Sequence, residues 1–161
     1  MSSYNGEMTV EELLADPATP IIIDVRGSTE ADPAIPGSKR VYLLNIDERT
    51  AEFEKRFASH LAVRPLLIYC GKGGGSSHLQ KQFSGKYRVQ SLQGGMVAYL
   101  TTISRLLFEH PYENSLKRGE TMAKILAALT NCNTDPETFR KIVERLLRCS
   151  PDPKFKKLLR R

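Results

Sequence analysis

The chain has 161 residues, 40% of them hydrophobic and 26% charged, and a formal net charge of +6. That length suits one domain of ordinary size with room for an appendage, and that balance belongs to a globular protein rather than a disordered one. No apolar run approaches the roughly 20 residues needed to span a bilayer. "MSSYNGEMTVEELL" lacks the basic start and apolar middle of a signal peptide, so a cytoplasmic location is expected.

Thr9 and Glu12 form a T-x-x-E capping box that opens a short helix, "VEELLA", and Asp16-Pro17 stops it. "PIIIDVR" is a β-branched run between proline and glycine and reads as a buried strand. "GSTEADPAIPGS", with two prolines and two glycines, is a long loop, and "VYLLNI" a second strand. In "TAEFEKRFASHLA", Phe53, Phe57 and Leu61 share one helical face. "PLLIYC" is the next buried strand, ending on Cys70, and "SSHLQKQF" begins a helix that Ser76 or Ser77 is placed to cap. "YRVQSL" is a last short strand, closed by Gly94-Gly95. Strands alternating with helices predict an α/β fold, a parallel sheet covered on both faces.

From Met96 the character changes. Met96, Leu100, Ile103 and Leu107 keep helical spacing up to His110-Pro111. Leu116, Met122, Ile125, Leu126 and Leu129 mark another helix, and Phe139, Ile142, Val143, Leu146 and Leu147 a third, opened by Asp135-Pro136. Residues 1–96 carry 11 Lys/Arg against 11 Asp/Glu, and residues 97–161 carry 13 against 7. Pattern and charge together predict a unit over 1–110 and a helical extension over 111–161. The extension's apolar faces are too large for water, so it is expected to pack on the core first, with any remaining strip making a homodimer. Lys154, Lys156, Lys157, Arg160 and Arg161 are expected to stay exposed, open to an acidic partner. The basic end lacks the interleaved aromatics and glycines of single-strand binders, so nucleic acid is not expected as a partner, and without a spanning apolar run neither is a membrane.

Three widely spaced cysteines, Cys70, Cys132 and Cys149, speak against a disulfide framework, and the three histidines make no ligand-like spacing, so no metal is expected. Cys132 and Cys149 read as ordinary thiols. Cys70 is different, because "CGKGGGSS" follows it. In a parallel sheet ligands bind beyond the carboxyl ends of the strands. Amides of a curled glycine loop can converge on an anion there, and a helix N-terminus adds partial positive charge. A thiol so placed loses its proton more easily than a free one. The rival glycine chemistries fail on inspection: Lys72 is followed by Gly73 rather than Ser or Thr, and a dinucleotide fingerprint starting at Gly71 needs glycine where Ser76 stands.

"IIIDVR" (21–26), "IPGS" (35–38), "LLIYCGKGGGSS" (66–77) and "VQSLQGGMVAYL" (89–100), in this order and spacing, resemble the rhodanese (sulfurtransferase) domain over roughly residues 5–105. The resemblance implies a five-stranded parallel sheet and a catalytic cysteine, Cys70, that carries a persulfide sulfur without metal or organic cofactor. Asp24 and Arg26 match a D-x-R that is structural beside the active loop. Tyr99 sits where many members have tryptophan. Two places depart from the pattern: Gly75 stands where the loop usually ends in arginine, and Ala34 where histidine precedes "IPG".

The expected reaction is sulfur transfer. The Cys70 thiolate takes sulfur from thiosulfate or another persulfide, small or protein-bound, and passes it to a thiophilic acceptor. Gly71, Lys72, Gly73, Gly74, Gly75 and Ser76 are the expected substrate-binding residues. Without an arginine fork the grip on thiosulfate is in question, and Lys72 is the replacement charge. The alternative is a catalytically weak or inactive module that binds through its helical tail. A phosphatase or arsenate reductase would need an arginine six residues after the cysteine, where Ser76 stands.

Overall fold

A computed structural model of the chain describes residues 6–27, 33–41, 51, 53–57, 59, 64–83, 87–108 and 121–160. Thr9 caps helix α1 (Val10–Ala15): its hydroxyl accepts the Glu12 N–H at 3.1 Å, and the Glu12 carboxylate accepts the Thr9 N–H at 3.1 Å. Strand β1 (Glu7–Met8) precedes it, and β2 (Ile21–Asp24), β3 (Lys39–Arg40), β4 (Leu66–Tyr69) and β5 (Val89–Leu92) complete a five-stranded sheet in the order β1-β5-β4-β2-β3. Every pairing is parallel. Helix α2 (Gly74–Gln82) follows β4 and α3 (Gly95–Phe108) follows β5.

The central strand explains why "LLIY" shows no polar alternation. All four of its residues are buried, because both faces of a parallel sheet are covered. Leu67 and Tyr69 join Ile22 and Leu92 under α1 and α3. Leu66 and Ile68 join Ile23 and Val89 on the opposite face, against Phe53, Phe57, Leu79 and Phe83. There the Phe53 ring centroid lies 4.8 Å from Phe57 and 5.6 Å from Phe83.

Three expectations need correcting. The sheet's fifth strand, β1, has only two residues and shows no apolar run; it forms because the Gly6 and Met8 carbonyls accept the Ser91 and Gln93 N–H groups at 2.9 and 2.8 Å. The strand beside β2 is Lys39–Arg40, ahead of the predicted 41–46; of that stretch Val41 alone is described. The register pairs Arg40 with Asp24, so two charged residues occupy a strand position because their side chains meet. Cys70 stands one residue beyond the end of β4 rather than on it.

Helices α4 (Met122–Leu129), α5 (Pro136–Cys149) and α6 (Pro153–Lys156), with a last turn Lys157–Arg160, form the C-terminal part. The Asp135 carboxylate accepts the Glu137 and Thr138 N–H groups at 3.0 and 3.2 Å, and Pro136 takes the first helical position. Ile125, Leu129, Phe139, Ile142, Val143, Leu146, Leu147 and Phe155 are buried in the same cluster as α1 and α3. Leu116 and Leu61, expected on helical faces, lie outside the described residues. Tyr99 buries its ring and donates its hydroxyl to the Leu129 carbonyl at 2.6 Å, a bond that tryptophan in its place could not make in the same way. The Ala34 and Gly37 N–H groups reach the Thr130 and Cys132 carbonyls at 2.7 and 3.0 Å. Lys154, expected to be unengaged, pairs with Glu11 at 2.6 Å. Among the described residues no helix is long and apolar enough to cross a membrane.

Phe155 tests how far this packing is one unit, since it is 1% exposed and lies beneath the Arg105 guanidinium at 5.5 Å. Phe155→Ala should cost about 3–5 kcal/mol. Denaturant unfolding should show a single transition moved to lower midpoint, whereas a separate early transition would mean that the tail melts alone.

Candidate active site

β4 delivers Cys70 to the carboxyl edge of the sheet, half-buried, and the chain turns at Gly71–Gly73 into α2. Gly73 is the N-cap of α2, in the left-handed region at φ 99°, and offers no side chain to the helix. Ser76 and Ser77, expected to cap, lie inside the helix. The cap is the cysteine itself. Cys70 Sγ accepts the Gly73 N–H at 3.1 Å and the Ser76 N–H at 3.4 Å, the second being an amide that an ordinary N-cap oxygen would take. The Ser76 hydroxyl stands 3.5 Å from the same sulfur.

This arrangement sets the protonation of the thiol. Burial opposes ionisation, but the Ser76 hydroxyl and the amides of Ser76, Gly73 and Gly75 outweigh it, so the thiol sits below its ordinary value. A sulfur held by donors alone is one poised to be an anion.

A second helix closes on the loop from the other side. At the start of α3 the Met96 N–H donates to the Cys70 carbonyl at 2.9 Å and the Val97 N–H to the Gly71 carbonyl at 3.0 Å. Gly95, at φ 61°, makes this approach possible: a Cβ there would stand 2.5 Å from the Cys70 carbonyl oxygen. The glycines of the loop therefore differ in kind. Gly73 needs its backbone and lies against Gly94, whereas Gly71 and Gly74 have ordinary backbone and nothing within 4 Å of a Cβ position. A Cβ on Gly75 would lie 3.9 Å from Cys70 Sγ, an ordinary contact. Those three add no side chain to the loop around the sulfur. Lys72 is exposed within the loop, while Ser76 is wholly buried, facing the sulfur from beneath.

Asp24 and Arg26 form a buried ion pair, and sequence reasoning missed its third member. Arg26 Nη2 reaches Asp24 Oδ2 at 2.8 Å and Arg40 Nη2 reaches the same oxygen at 3.0 Å. Arg26 also donates to the Pro33 carbonyl at 2.7 Å and lies 5.5 Å over the Tyr69 ring. Tyr69 Oη accepts the Ile35 N–H at 3.2 Å and meets Ser38 Oγ at 3.1 Å; burial pushes its pKa up to about 12. The pair, with Tyr69, thus fastens the "PAIPGS" segment to the strand that leads into Cys70. Burial raises the Asp24 pKa, but hydrogen bonds and charge from Arg26, then Arg40, hold it below the usual carboxylate range. Ser91, also missed, meets Ser76 Oγ at 2.7 Å from β5; two polar residues, Gln90 and Ser91, inside a buried strand were its only signal. Among the described residues no three His, Cys, Asp or Glu side chains cluster as metal ligands.

The chain belongs to the rhodanese-like domain family, whose profile matches residues 9–102. Among solved structures it is similar to reduced CoADR-RHD of Bacillus anthracis, at 20% identity and a TM-score of 0.48 over 63% of this chain. The likeness spans 18% of that protein's length. No curated protein matches the chain.

Gly74→Ala should hold or raise the melting midpoint, adding about 0.5–1 kcal/mol, because it removes helix glycine entropy in open space. Gly95→Ala should lower it by more than the roughly 1–2 kcal/mol of a left-handed Cβ, since the loop carbonyls must also move. Parallel thermal melts of the two variants decide this. Asp24 predicts a pH response. A carboxyl depressed in the folded state gives its full stability above the ordinary value of about 3.9 and loses it as pH falls from there through the lowered value. Asp24→Asn should cost about 3–5 kcal/mol at pH 7, and the gap from the parent protein should narrow in melts taken below pH 4.

Proposed function

We propose that this chain is a sulfurtransferase that carries sulfur as a persulfide on Cys70. The observation that supports this best is the convergence of the Gly73 and Ser76 amides and the Ser76 hydroxyl on Cys70 Sγ, which favours the nucleophilic thiolate. In the first step the thiolate attacks the outer sulfur of a donor R–S–SH. The new S–S bond gives Cys70–S–SH, and R–S⁻ leaves with the electron pair of the broken bond. In the second step an acceptor nucleophile, a thiolate or cyanide, attacks the outer sulfur, and Cys70 leaves as the thiolate. The first step needs Cys70 as an attacking thiolate and the second needs it as a leaving one, and the same donors stabilise both.

The glycines of the loop and the absent arginine bear on the donor. Thiosulfate carries two negative charges and needs a cationic grip; here exposed Lys72 is the loop's cation. A persulfide on a larger donor needs room instead, and Gly71 and Gly74 leave it. We therefore assign a thiol-borne persulfide as the better donor. A module that merely binds partners through its tail would have no use for a sulfur so surrounded, and the tail's apolar face is already taken by the core.

Intact mass tests the reaction. Incubation with a low-molecular-weight persulfide should add one sulfur to the protein, cyanide should remove it, and Cys70→Ser should gain none. Retention of the added sulfur by Cys70→Ser would refute the assignment. Gly75→Arg, which places a guanidinium at the loop's end, should raise thiosulfate turnover up to about tenfold if one charge-assisted contact of roughly 1.5 kcal/mol forms. Unchanged KM and kcat in that variant would show that the amides and Lys72 already suffice.

A further inference from the structure

Beneath the sulfur lies a second layer of polar groups, in which Ser76 of α2 meets Ser91 of β5. Ser76 Oγ has three neighbours: Cys70 Sγ at 3.5 Å, the Gly73 carbonyl oxygen at 3.3 Å, to which it donates, and Ser91 Oγ at 2.7 Å. Ser76 is 0% and Ser91 1% exposed, so solvent cannot replace either partner. A hydroxyl has one proton. If Ser76 gives that proton to the carbonyl or to the sulfur, the short contact with Ser91 can be made only by Ser91 donating.

We propose that Ser91 is a positioning residue for the Cys70 nucleophile: its hydroxyl donates to Ser76 Oγ and so leaves the Ser76 proton to swing between the Gly73 carbonyl and Cys70 Sγ. When Cys70 is a neutral thiol or persulfide, Ser76 donates to the carbonyl. When the thiol proton departs to the medium, or when a persulfide sulfur is handed on, Ser76 turns to the new negative sulfur and Ser91 keeps Ser76 Oγ satisfied. No bond other than hydrogen bonds is made or broken at either serine, and neither one gives up its proton. Without Ser91, Ser76 Oγ would sit buried without a donor, and its orientation towards the sulfur would lose its support.

The surroundings leave few other groups to set the charge of the sulfur. The loop and α2 bring exposed Lys72, His78 and Lys81, the first turns of α2 and α3 contain no acid, and β5 contains no titratable residue. Asp24 on β2 is committed to Arg26 and Arg40, and Glu7 on β1 is exposed.

The inference deepens the sulfurtransferase reading and its role in turnover rests on it, but its test needs no sulfur donor. Iodoacetamide alkylation at Cys70, followed by peptide mass across pH, reports the thiolate directly. Ser91→Ala, with its fold checked by thermal melting, should shift the profile to higher pH and slow alkylation about fivefold to tenfold at pH values below the midpoint, the size of one ordinary hydrogen bond. Ser76→Ala should do at least as much. In the double variant Ser91→Ala should add less than about twofold to Ser76→Ala, because Ser91 acts only through Ser76. Ser91→Thr, which keeps the hydroxyl on a strand-favouring residue, should retain the parent profile. A parent-like profile in Ser91→Ala, an equal loss in both backgrounds, or a folded Ser91→Thr that titrates like Ser91→Ala would each overturn the proposal.

Discussion

Everything around the site depends on one contact set: the backbone amides of Gly73 and Ser76 pointing at a single sulfur. Those amides are the orphan donors of a helix N-terminus, and a helix that starts on glycine has no side chain to satisfy them. By accepting them, Cys70 is at once the helix cap and the proposed nucleophile. Stability of α2 and acidity of the thiol are therefore two readings of the same bonds. A neutral thiol is a weak acceptor and a thiolate a strong one, so the helix favours the form that chemistry needs.

The rest of the fold holds this contact set in register. β4 fixes where Cys70 leaves the sheet, and α3 fastens the loop from behind by giving its own first amides to the Cys70 and Gly71 carbonyls. Two helix N-termini thus meet one short loop, one at the sulfur and one at the carbonyl oxygens. This divides the polar groups so that the sulfur meets only donors. The Asp24 pair acts one strand away, tying "PAIPGS" to Tyr69, the residue before the cysteine. Pairing two arginines with one buried carboxylate spreads the desolvation cost over several charge-assisted bonds, which is how a buried charge is tolerated.

The C-terminal helices add a layer to the fold. Their apolar faces complete the cluster that already contains α1 and α3, and Tyr99, buried in α3, bonds to the last carbonyl of α4. The surface pairs Glu11–Lys154 and Arg105–Asp152 contribute little by themselves, being partly exposed. Burial of Phe139, Leu146, Leu147 and Phe155 carries the attachment.

What the sequence by itself determined is what short-range chemistry dictates. The Thr9–Glu12 capping box and Asp135-Pro136 set helix starts, apolar runs marked β2 and β4, and a cysteine before four glycines marked the proposed nucleophile and the edge of the sheet where it stands. Each of these signals is complete within a few residues. Tertiary structure decided the rest, because its partners are far apart in the chain. β1 exists only beside β5, and Arg40 matters only because Asp24 lies opposite it. Gly73 and Gly95 require glycine while Gly71 and Gly74 do not, a difference invisible in a run of identical letters because it is set by what lies in front of each Cβ. Ser91 is ordinary in sequence, and it becomes part of the site because the parallel pairing of β4 and β5 brings it beneath Ser76, where solvent cannot reach either hydroxyl.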